Sequence, residues 1–415
     1  MKKVFNWILE KKDYLTLGLF SFFLVLVILE SSNLTNEIAG FVKVLFFFKL
    51  FVFGLFALDI FYDLIKGKIK INWILSVLSV IVLATLFITK KPHMLILLLL
   101  MVEISKYKFS QVAKVALITF QVCFALIVFL TALGIIPNAI NLRGDGEIRN
   151  SLGFNYVLTA QTIYFFIILI SVFLKKNNMP FSELLFHFII VSILFFYTDA
   201  RCDFCLSLVL LTMVCLVKLF KFKKAQDVLK TRVCKILLIS VPILITAVSG
   251  LLLLLYSLNV SFVVNLDVLL DGRLNMALRV LNEFGVHLFG SEFINVHAVY
   301  VDGLIIPDEN YLFLDNSIFS ILLMYGIFNL IAILIGYSLI IKKGMEKQNY
   351  WFVLCVVLIF VQSLVEPYLI AYNFNIFVLA LAYLLEVRNK KEEVTDKFNN
   401  EIDNQKLIKE SEQTQ

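Results

Sequence analysis

Arginine is the residue whose type and placement first indicate chemistry in this sequence. The chain has seven arginines, and five of them lie in polar segments that are predicted below to share one side of a membrane. A guanidinium group is a planar fork with several N–H donors, which suits the binding of phosphate or pyrophosphate. The five candidates for a phosphorylated ligand are Arg143, Arg149, Arg201, Arg273 and Arg279.

The alternative is that these arginines only form ion pairs with acids in the same segments. Those acids are Asp145, Glu147, Asp199, Asp203, Asp271 and Glu283. For any single arginine, an ion pair with one of these acids is an equally good interpretation. The concentration of five arginines on one side favours a binding role for the set.

Two carboxylates stand where apolar runs meet polar segments. Asp315, followed by Asn316, precedes one long apolar run, and Glu366 is followed by Pro367 at the end of the next. A partly desolvated carboxylate at a membrane boundary can have a raised pKa and act as a base. The alternative is helix capping by Asp or Asn, with proline placed after a helix end.

The composition requires a membrane around these residues. The chain of 415 residues is 60% hydrophobic and 16% charged, and it contains 41 phenylalanines. Soluble proteins are about 45–50% apolar and about 25% charged. The chain is therefore not expected to be a soluble enzyme, a disordered protein or a disulfide scaffold. Its long continuous apolar runs also argue against a transmembrane β-barrel, which needs short alternating segments.

Each membrane span requires roughly 20 apolar residues. The predicted fold class is all-α: one polytopic domain over residues 1–386 with about 12 transmembrane helices, followed by a polar tail over 387–415. No cleavable signal peptide is expected. The predicted spans are 14–30, 38–62, 71–89, 92–104, 111–136, 155–174, 184–198, 204–220, 236–258, 316–341, 350–366 and 374–386.

The distribution of basic residues predicts the orientation of these spans. Most of the 37 lysines and arginines fall in segments that share a side with both termini. The positive-inside rule therefore places both termini in the cytoplasm. The net charge of +6 is a topology signal, and it does not argue for nucleic acid. Two long segments, 137–154 and 259–315, then lie outside, and the second is expected to fold into short helices over the membrane.

Short motifs follow one another between residues 143 and 386. They are Arg149–Phe154, Thr198–Arg201, Asp271–Arg273, Phe289–Gly290, Leu314–Asn316, Tyr325–Ile327, Glu366, Asn373 and Asn375. In this order the set resembles the Wzy-type polysaccharide repeat-unit polymerases, especially capsule polymerases of low-GC Gram-positive bacteria. Residues 1–130 resemble that family only as generic membrane helices.

This resemblance implies a glycosyltransferase of the metal-independent GT-C type, in the bacterial cytoplasmic membrane. Such polymerases use an oligosaccharide carried on undecaprenyl pyrophosphate and transfer it to the non-reducing end of another lipid-linked repeat unit. The implied partners are this substrate, membrane lipid and, in some systems, flippases and chain-length regulators. No cofactor or metal is implied. The related O-antigen ligases share the fold and the arginine-rich outer face.

The resemblance also assigns roles to residues of this chain. Arg201, Arg273 and Arg279 become the main candidates for the leaving pyrophosphate, with Arg143 and Arg149 secondary. In the ligase branch a histidine base precedes an asparagine at the start of a span, and here Asp315 precedes Asn316. The base is therefore Asp315 or a histidine of the long loop, His297 or His287. Glu366 is a third catalytic candidate. Four tyrosines are candidate sugar contacts or simple interface anchors: Tyr300, Tyr311, Tyr368 and Tyr372.

Rival functions rest on other residues. Ligase-type transfer to a different acceptor shares every feature above. A transporter or flippase finds its best support in Lys49, a cation predicted near the middle of the second span. A redox pair at Cys202 and Cys205 would need a second external pair, which the sequence lacks. The four histidines show no metal-ligand spacing.

Overall fold

The computed structural model of the chain describes residues 12–142, 148–220, 229–296, 299–301, 303–306 and 311–387. These residues form fifteen α-helices, four short strands and two 3₁₀ helices. The first six helices are α1 (Lys12–Glu30), α2 (Leu34–Glu37), α3 (Phe41–Ile65), α4 (Trp73–Thr89), α5 (His93–Ile104) and α6 (Phe109–Ala132).

A second group of helices follows the first polar segment. They are α7 (Thr159–Lys175), the 3₁₀ helix Lys176–Asn178, α8 (Phe181–Thr198), α9 (Arg201–Phe220) and α10 (Arg232–Ser257). After them come α11 (Ser261–Leu269), α12 (Arg273–Phe284), α13 (Ser317–Tyr325), α14 (Ile327–Glu346), α15 (Tyr350–Gln362) and the 3₁₀ helix Ile376–Leu384.

Within the described residues, seven helices are long and apolar enough to cross a membrane by length and composition. Four shorter apolar helices accompany them: Tyr14–Glu30, Trp73–Thr89, His93–Ile104 and Tyr350–Gln362. The prediction of a helical, membrane-embedded protein is thus confirmed. Twelve spans are not established.

Two predicted spans differ in their internal structure. The run 316–341 is divided between α13 and α14 at Gly326, whose φ of 92° lies in a region that L side chains rarely adopt. The backbone of Leu288 crosses Gly326 so closely that an added Cβ would lie 2.4 Å from the Leu288 carbonyl oxygen. The predicted span 374–386 is a 3₁₀ helix over Ile376–Leu384. Nine residues is long for this helix type, whose runs rarely exceed 3–4 residues.

Helix α7 is the centre of the bundle. Every residue from Thr159 to Phe173 is buried, because α6, α8, α9 and α15 surround this helix. By contrast, α3 and α10 expose long rows of apolar side chains, as expected of helices that face lipid.

The segments between helices gather at two ends of the bundle. At one end, which we call the loop face, Asn33 donates to the Pro137 carbonyl, and Lys91 donates to the Ser291 carbonyl at 3.0 Å. At the opposite end, Lys70 N donates to the Val387 carbonyl, and the Tyr383 hydroxyl donates to the Tyr107 carbonyl. The loop face carries both long polar segments.

A small sheet joins these two segments, which the all-α prediction did not include. Its strands are β1 (Ile140–Leu142), β2 (Ile148–Asn150), β3 (Val299–Val301) and β4 (Leu304–Ile306), in the order β2-β1-β4-β3. β1 pairs antiparallel with β2 and parallel with β4. The segment 259–315 therefore contains short helices, as predicted, namely α11 and α12, and it also contains half of a sheet.

Candidate functional site

A cavity of about 420 Å³ lies in the loop face. It brings together three of the five predicted arginines and two predicted catalytic carboxylates: Arg149, Arg201, Arg273, Asp315 and Glu366. These residues are widely separated in the sequence: the three arginines lie in β2, α9 and α12, Asp315 precedes α13, and Glu366 follows α15. The cavity is therefore a product of the tertiary fold.

Arg273 reaches the cavity because a carboxylate fixes the start of its helix. Asp267, in α11, accepts hydrogen bonds from the backbone N–H of Leu274 at 2.7 Å and of Asn275 at 3.3 Å. These donors belong to the first turn of α12, where N–H groups have no partner within the helix. Gly272, with φ 78°, makes the sharp turn between the two helices. Arg273 is thus held at the N-terminus of α12.

The Arg273 guanidinium lies between two carboxylates. Its two terminal nitrogens contact Glu366 Oε1 at 3.3 Å, and its Nε is 3.5 Å from Asp315 Oδ2. Only 15% of the Arg273 side chain is exposed. A guanidinium has five N–H donors, and these contacts use three nitrogens at long distances. The group therefore keeps capacity to bind an anion in the cavity.

Asp315 and Glu366 are brought close by the residues beside them. Asn316 is the N-cap of α13 and accepts from the N–H groups of Ile318 and Phe319, while its amide donates to the Leu364 carbonyl at 2.9 Å. The Ser317 hydroxyl donates to the Glu366 carbonyl at 2.5 Å. The start of α13 is therefore attached to the segment after α15, which carries Glu366.

Burial changes the protonation of these carboxylates. Glu366 is 4% exposed, and its burial raises its pKa from 4.5 to about 8; Arg273 opposes this rise, while Asp203 and Asp315 add to it. Burial also raises the pKa of Asp315 above its usual range, against the effect of Arg273. A carboxyl group with a pKa near neutrality can accept and release a proton at the pH where the protein works.

Two other arginines of the cavity lining share one acid. Arg149 Nη2 is 3.4 Å from Asp199 Oδ2, and Arg201 Nε is 3.1 Å from Asp199 Oδ1. Asp199 occupies the turn between α8 and α9 with a positive φ of 46°. Arg149 is 7% exposed, and its Nε has no hydrogen-bond partner within the described part of the chain. Asp199 therefore holds both guanidinium groups in the cavity lining.

A buried polar network supports the floor of the cavity. Asp203 accepts from the Thr162 hydroxyl at 2.5 Å and from the Gln362 amide at 2.6 Å, so it links α7, α9 and α15. Gln362 lies one helical turn before Glu366 and accepts the Glu366 N–H at its carbonyl. The network holds the end of α15 in place and thereby positions Glu366, which follows this helix.

Part of the cavity lining is apolar, and one of these apolar residues is exposed to the surface. Leu158, Leu206, Leu270 and Val365 contribute to the lining, together with Leu269, whose side chain is 73% exposed. Two tyrosines complete the wall: Tyr311 is one of the predicted sugar contacts, and Tyr156 is not. Burial raises the pKa of Tyr311 to about 12, so its hydroxyl stays protonated and can donate a hydrogen bond.

Other predicted site residues lie elsewhere. Arg279 is exposed on α12, with its Nη1 3.9 Å from the Met276 sulfur, and it does not line the cavity. Asn316 is buried as a helix cap, so its amide serves the structure of the site. His287 is exposed and bonds the Phe284 carbonyl at 2.7 Å. Arg143 and His297 lie outside the described residues.

Sequence reasoning missed two side chains that support the site. The sequence indicated Asp203 only as a possible ion-pair partner, although Asp203 lies two residues after Arg201 in the first turn of α9. Gln362 was not among the candidate residues. Its spacing of four residues before Glu366 was the available signal, because this spacing places two residues on one helix face.

The residues behind the rival functions have ordinary surroundings. Lys49 donates to both carboxylate oxygens of Glu30 at 2.5 and 2.6 Å, so this charge is neutralised within the bundle. Cys202 and Cys205 are free thiols in the cavity wall. Among the residues that the structure describes, no group of three or more His, Cys, Asp or Glu side chains could hold a metal ion.

Comparison of the chain with protein-family models, with curated proteins and with solved structures finds no match.

Proposed function

We propose that this protein is a membrane glycosyltransferase that polymerises lipid-linked oligosaccharide repeat units. Its donor is an oligosaccharide on undecaprenyl pyrophosphate, and its acceptor is the non-reducing end of another repeat unit. The site faces the outside of the bacterial cytoplasmic membrane, with both termini in the cytoplasm. This orientation follows from the lysine distribution, and the activity follows from the motif resemblance.

The observation that carries the proposal is the single cavity that holds Arg149, Arg201 and Arg273 beside Asp315 and Glu366. A lipid pyrophosphate needs cations for its phosphates and an apolar surface for its lipid. The arginines meet the first need, and the leucines of the cavity lining, of which Leu269 is exposed, meet the second. A sugar hydroxyl also needs a proton acceptor, which the carboxylates beside Arg273 supply.

In the proposed reaction, the acceptor hydroxyl oxygen attacks the anomeric carbon of the donor sugar. The bond from that carbon to the pyrophosphate oxygen breaks, and the pyrophosphate leaves with the electron pair. The guanidiniums stabilise the charge that develops on the leaving group. The hydroxyl proton passes to the carboxylate of Glu366, whose raised pKa suits it to this role, or to Asp315.

The decisive experiment incubates the purified protein with lipid-linked repeat unit as the only substrate. A ladder of products that differ by one repeat unit supports polymerisation. A single transfer that requires a different acceptor indicates ligase-type chemistry in the same cavity. Movement of the lipid between leaflets with no new glycosidic bond would contradict the proposal, and it would revive the flippase alternative.

A further inference from the structure

A second concavity, which we call the α4–α14 groove, lies apart from the arginine cavity. It has a volume of about 590 Å³ and runs between α4, α5, α14 and the 3₁₀ helix Ile376–Leu384. Its floor is buried and apolar, while its rim is exposed. The floor includes Met94, Leu97, Met101, Ile333 and Leu381. The rim includes Trp73, Val77, Ile331, Ile335 and Leu339.

The two ends of the groove differ in polarity. At the loop-face end it is lined by Phe328 and Asn329, and the Asn329 amide is already bonded to Thr85 and to the Tyr325 carbonyl. All of its charged lining residues lie at the other end, and they are Lys342, Lys343, Glu346 and Glu386. A ligand that fits must therefore have one long apolar part and one polar end.

The length of the groove is that of a lipid chain. Phe328 and Lys343 are fifteen residues apart on the same helix, α14, which corresponds to about 22 Å along its axis. One leaflet is about half of the roughly 30 Å hydrocarbon layer, so the groove is long enough to take a whole acyl chain. Trp73 stands at the polar end, where an indole ring suits the boundary between lipid and water.

Charge at the polar end favours an anionic head group. Lys342 is exposed, and Lys343 reaches the Tyr383 carbonyl at 3.2 Å while remaining exposed. The lining of this end holds these two lysines and two glutamates, Glu346 and Glu386. The backbone of a third lysine lies beside it, because Lys70 N donates to the carbonyl of Val387, next to Glu386, and Lys70 adds a positive charge to this end of the groove. Basic residues of this kind attract anionic phospholipids at a membrane surface.

We propose that the α4–α14 groove is a binding site for one anionic phospholipid, with its phosphate at Lys342 and Lys343 and an acyl chain along the groove. In the orientation that the lysine distribution predicts, this lipid belongs to the cytoplasmic leaflet. Its chain packs against the 3₁₀ helix Ile376–Leu384, which contributes Leu381 and Leu384 to the groove.

The test measures lipid retention directly. Purified protein in detergent is mixed with phosphatidylglycerol or with phosphatidylcholine of the same chain length, and bound lipid is counted by native mass spectrometry. Lys342→Gln and Lys343→Gln remove the charges, and Ala332→Phe fills the groove. Their controls are Lys114→Gln and Ala125→Phe, at exposed positions on α6 outside the groove.

We expect one phosphatidylglycerol per protein in the wild type, retained well above phosphatidylcholine. Binding should weaken about fivefold for each lysine removed, and it should be lost in Ala332→Phe. Each variant must elute as the wild type does in size exclusion. Equal lipid retention in the groove variants and the control variants would show that the bound lipid is unspecific surface lipid, and it would overturn the proposal. Equal retention of phosphatidylglycerol and phosphatidylcholine by the wild type would also overturn it.

Discussion

Both terminal nitrogens of Arg273 contact the same oxygen of Glu366, Oε1, at 3.3 Å. This pair is almost completely removed from water, since the two side chains are 15% and 5% exposed. A buried carboxylate of this kind is costly unless it is paired or protonated. Pairing with Arg273 reduces this cost, and so does protonation of Glu366, which its raised pKa favours. An anion bound at Arg273 would therefore alter the protonation of Glu366.

The first prediction concerns the guanidinium fork. Arg273→Lys and Arg201→Lys should each lower polymer formation by roughly a hundredfold or more, because an ammonium group cannot make paired contacts with a pyrophosphate. Product ladders from purified protein measure the effect. Arg279→Lys is the matched control, since Arg279 is an exposed arginine outside the cavity, and it should retain wild-type activity. Full-length polymer from both cavity variants would contradict a role in pyrophosphate binding.

The second prediction concerns the pH dependence of Glu366. As a base it must be deprotonated, so activity should rise about tenfold per pH unit below pH 8 and level off above it. Glu366→Gln should lose most activity together with this rising limb. Glu292→Gln, at an exposed glutamate outside the cavity, should keep the wild-type profile.

Stability should respond to pH in the opposite sense. The folded state holds the Glu366 proton up to about pH 8, whereas the unfolded state releases it near pH 4.5. Between these values the folded state binds more protons, so the contribution of Glu366 to the free energy of unfolding falls as pH rises. Glu366→Gln should remove this contribution, which thermal denaturation at pH 6 and pH 9 measures. An unchanged pH response in the variant would show that Glu366 does not hold the proton.

The third prediction separates chemistry from structure in two adjacent residues. Asp315→Asn should reduce polymer formation with little change in thermal stability, because the site loses a charge beside Arg273 and keeps the shape of the side chain. Asn316→Ala should lower stability by about 1–2 kcal/mol, because the cap of α13 is lost. Its activity, measured per folded molecule, should fall less. Wild-type polymer from Asp315→Asn would remove Asp315 from the mechanism.

The sequence indicated several of the residues that line the cavity, but it did not indicate how they are arranged. The type and the clustering of the arginines identified Arg149, Arg201 and Arg273 without any structure. Their partners depend on contacts between distant segments. Arg149 meets Asp199 only because β2 lies against the turn between α8 and α9, and no local pattern contains that information. Arg279 has the same residue type, but it lies on the exposed face of α12.

The same limit explains the fold features that were missed. The strands β1 to β4 have three residues each, which is too short for an alternating apolar pattern, and β1 pairs with β4 across more than a hundred and fifty residues. The break between α13 and α14 lies inside a continuous apolar run. Composition predicts that such a run enters the membrane, and it does not show where the helix stops.

The fourth prediction tests the crossing that forces this break. Gly290 has φ 96°, and an added Cβ would lie 2.3 Å from the Met324 carbonyl oxygen, next to the end of α13. Gly290→Ala should therefore destabilise the protein by about 1–3 kcal/mol, seen as a lower thermal transition in detergent.

Gly303→Ala is the matched control for this substitution. Gly303 has a similar φ of 85°, and a methyl group added there would meet no atom of the described chain within 4 Å. The control shares the backbone strain and lacks the collision, so its loss of stability should be smaller. Equal losses would show that backbone strain alone acts at Gly290, and the close crossing would then not explain why α13 ends at Tyr325.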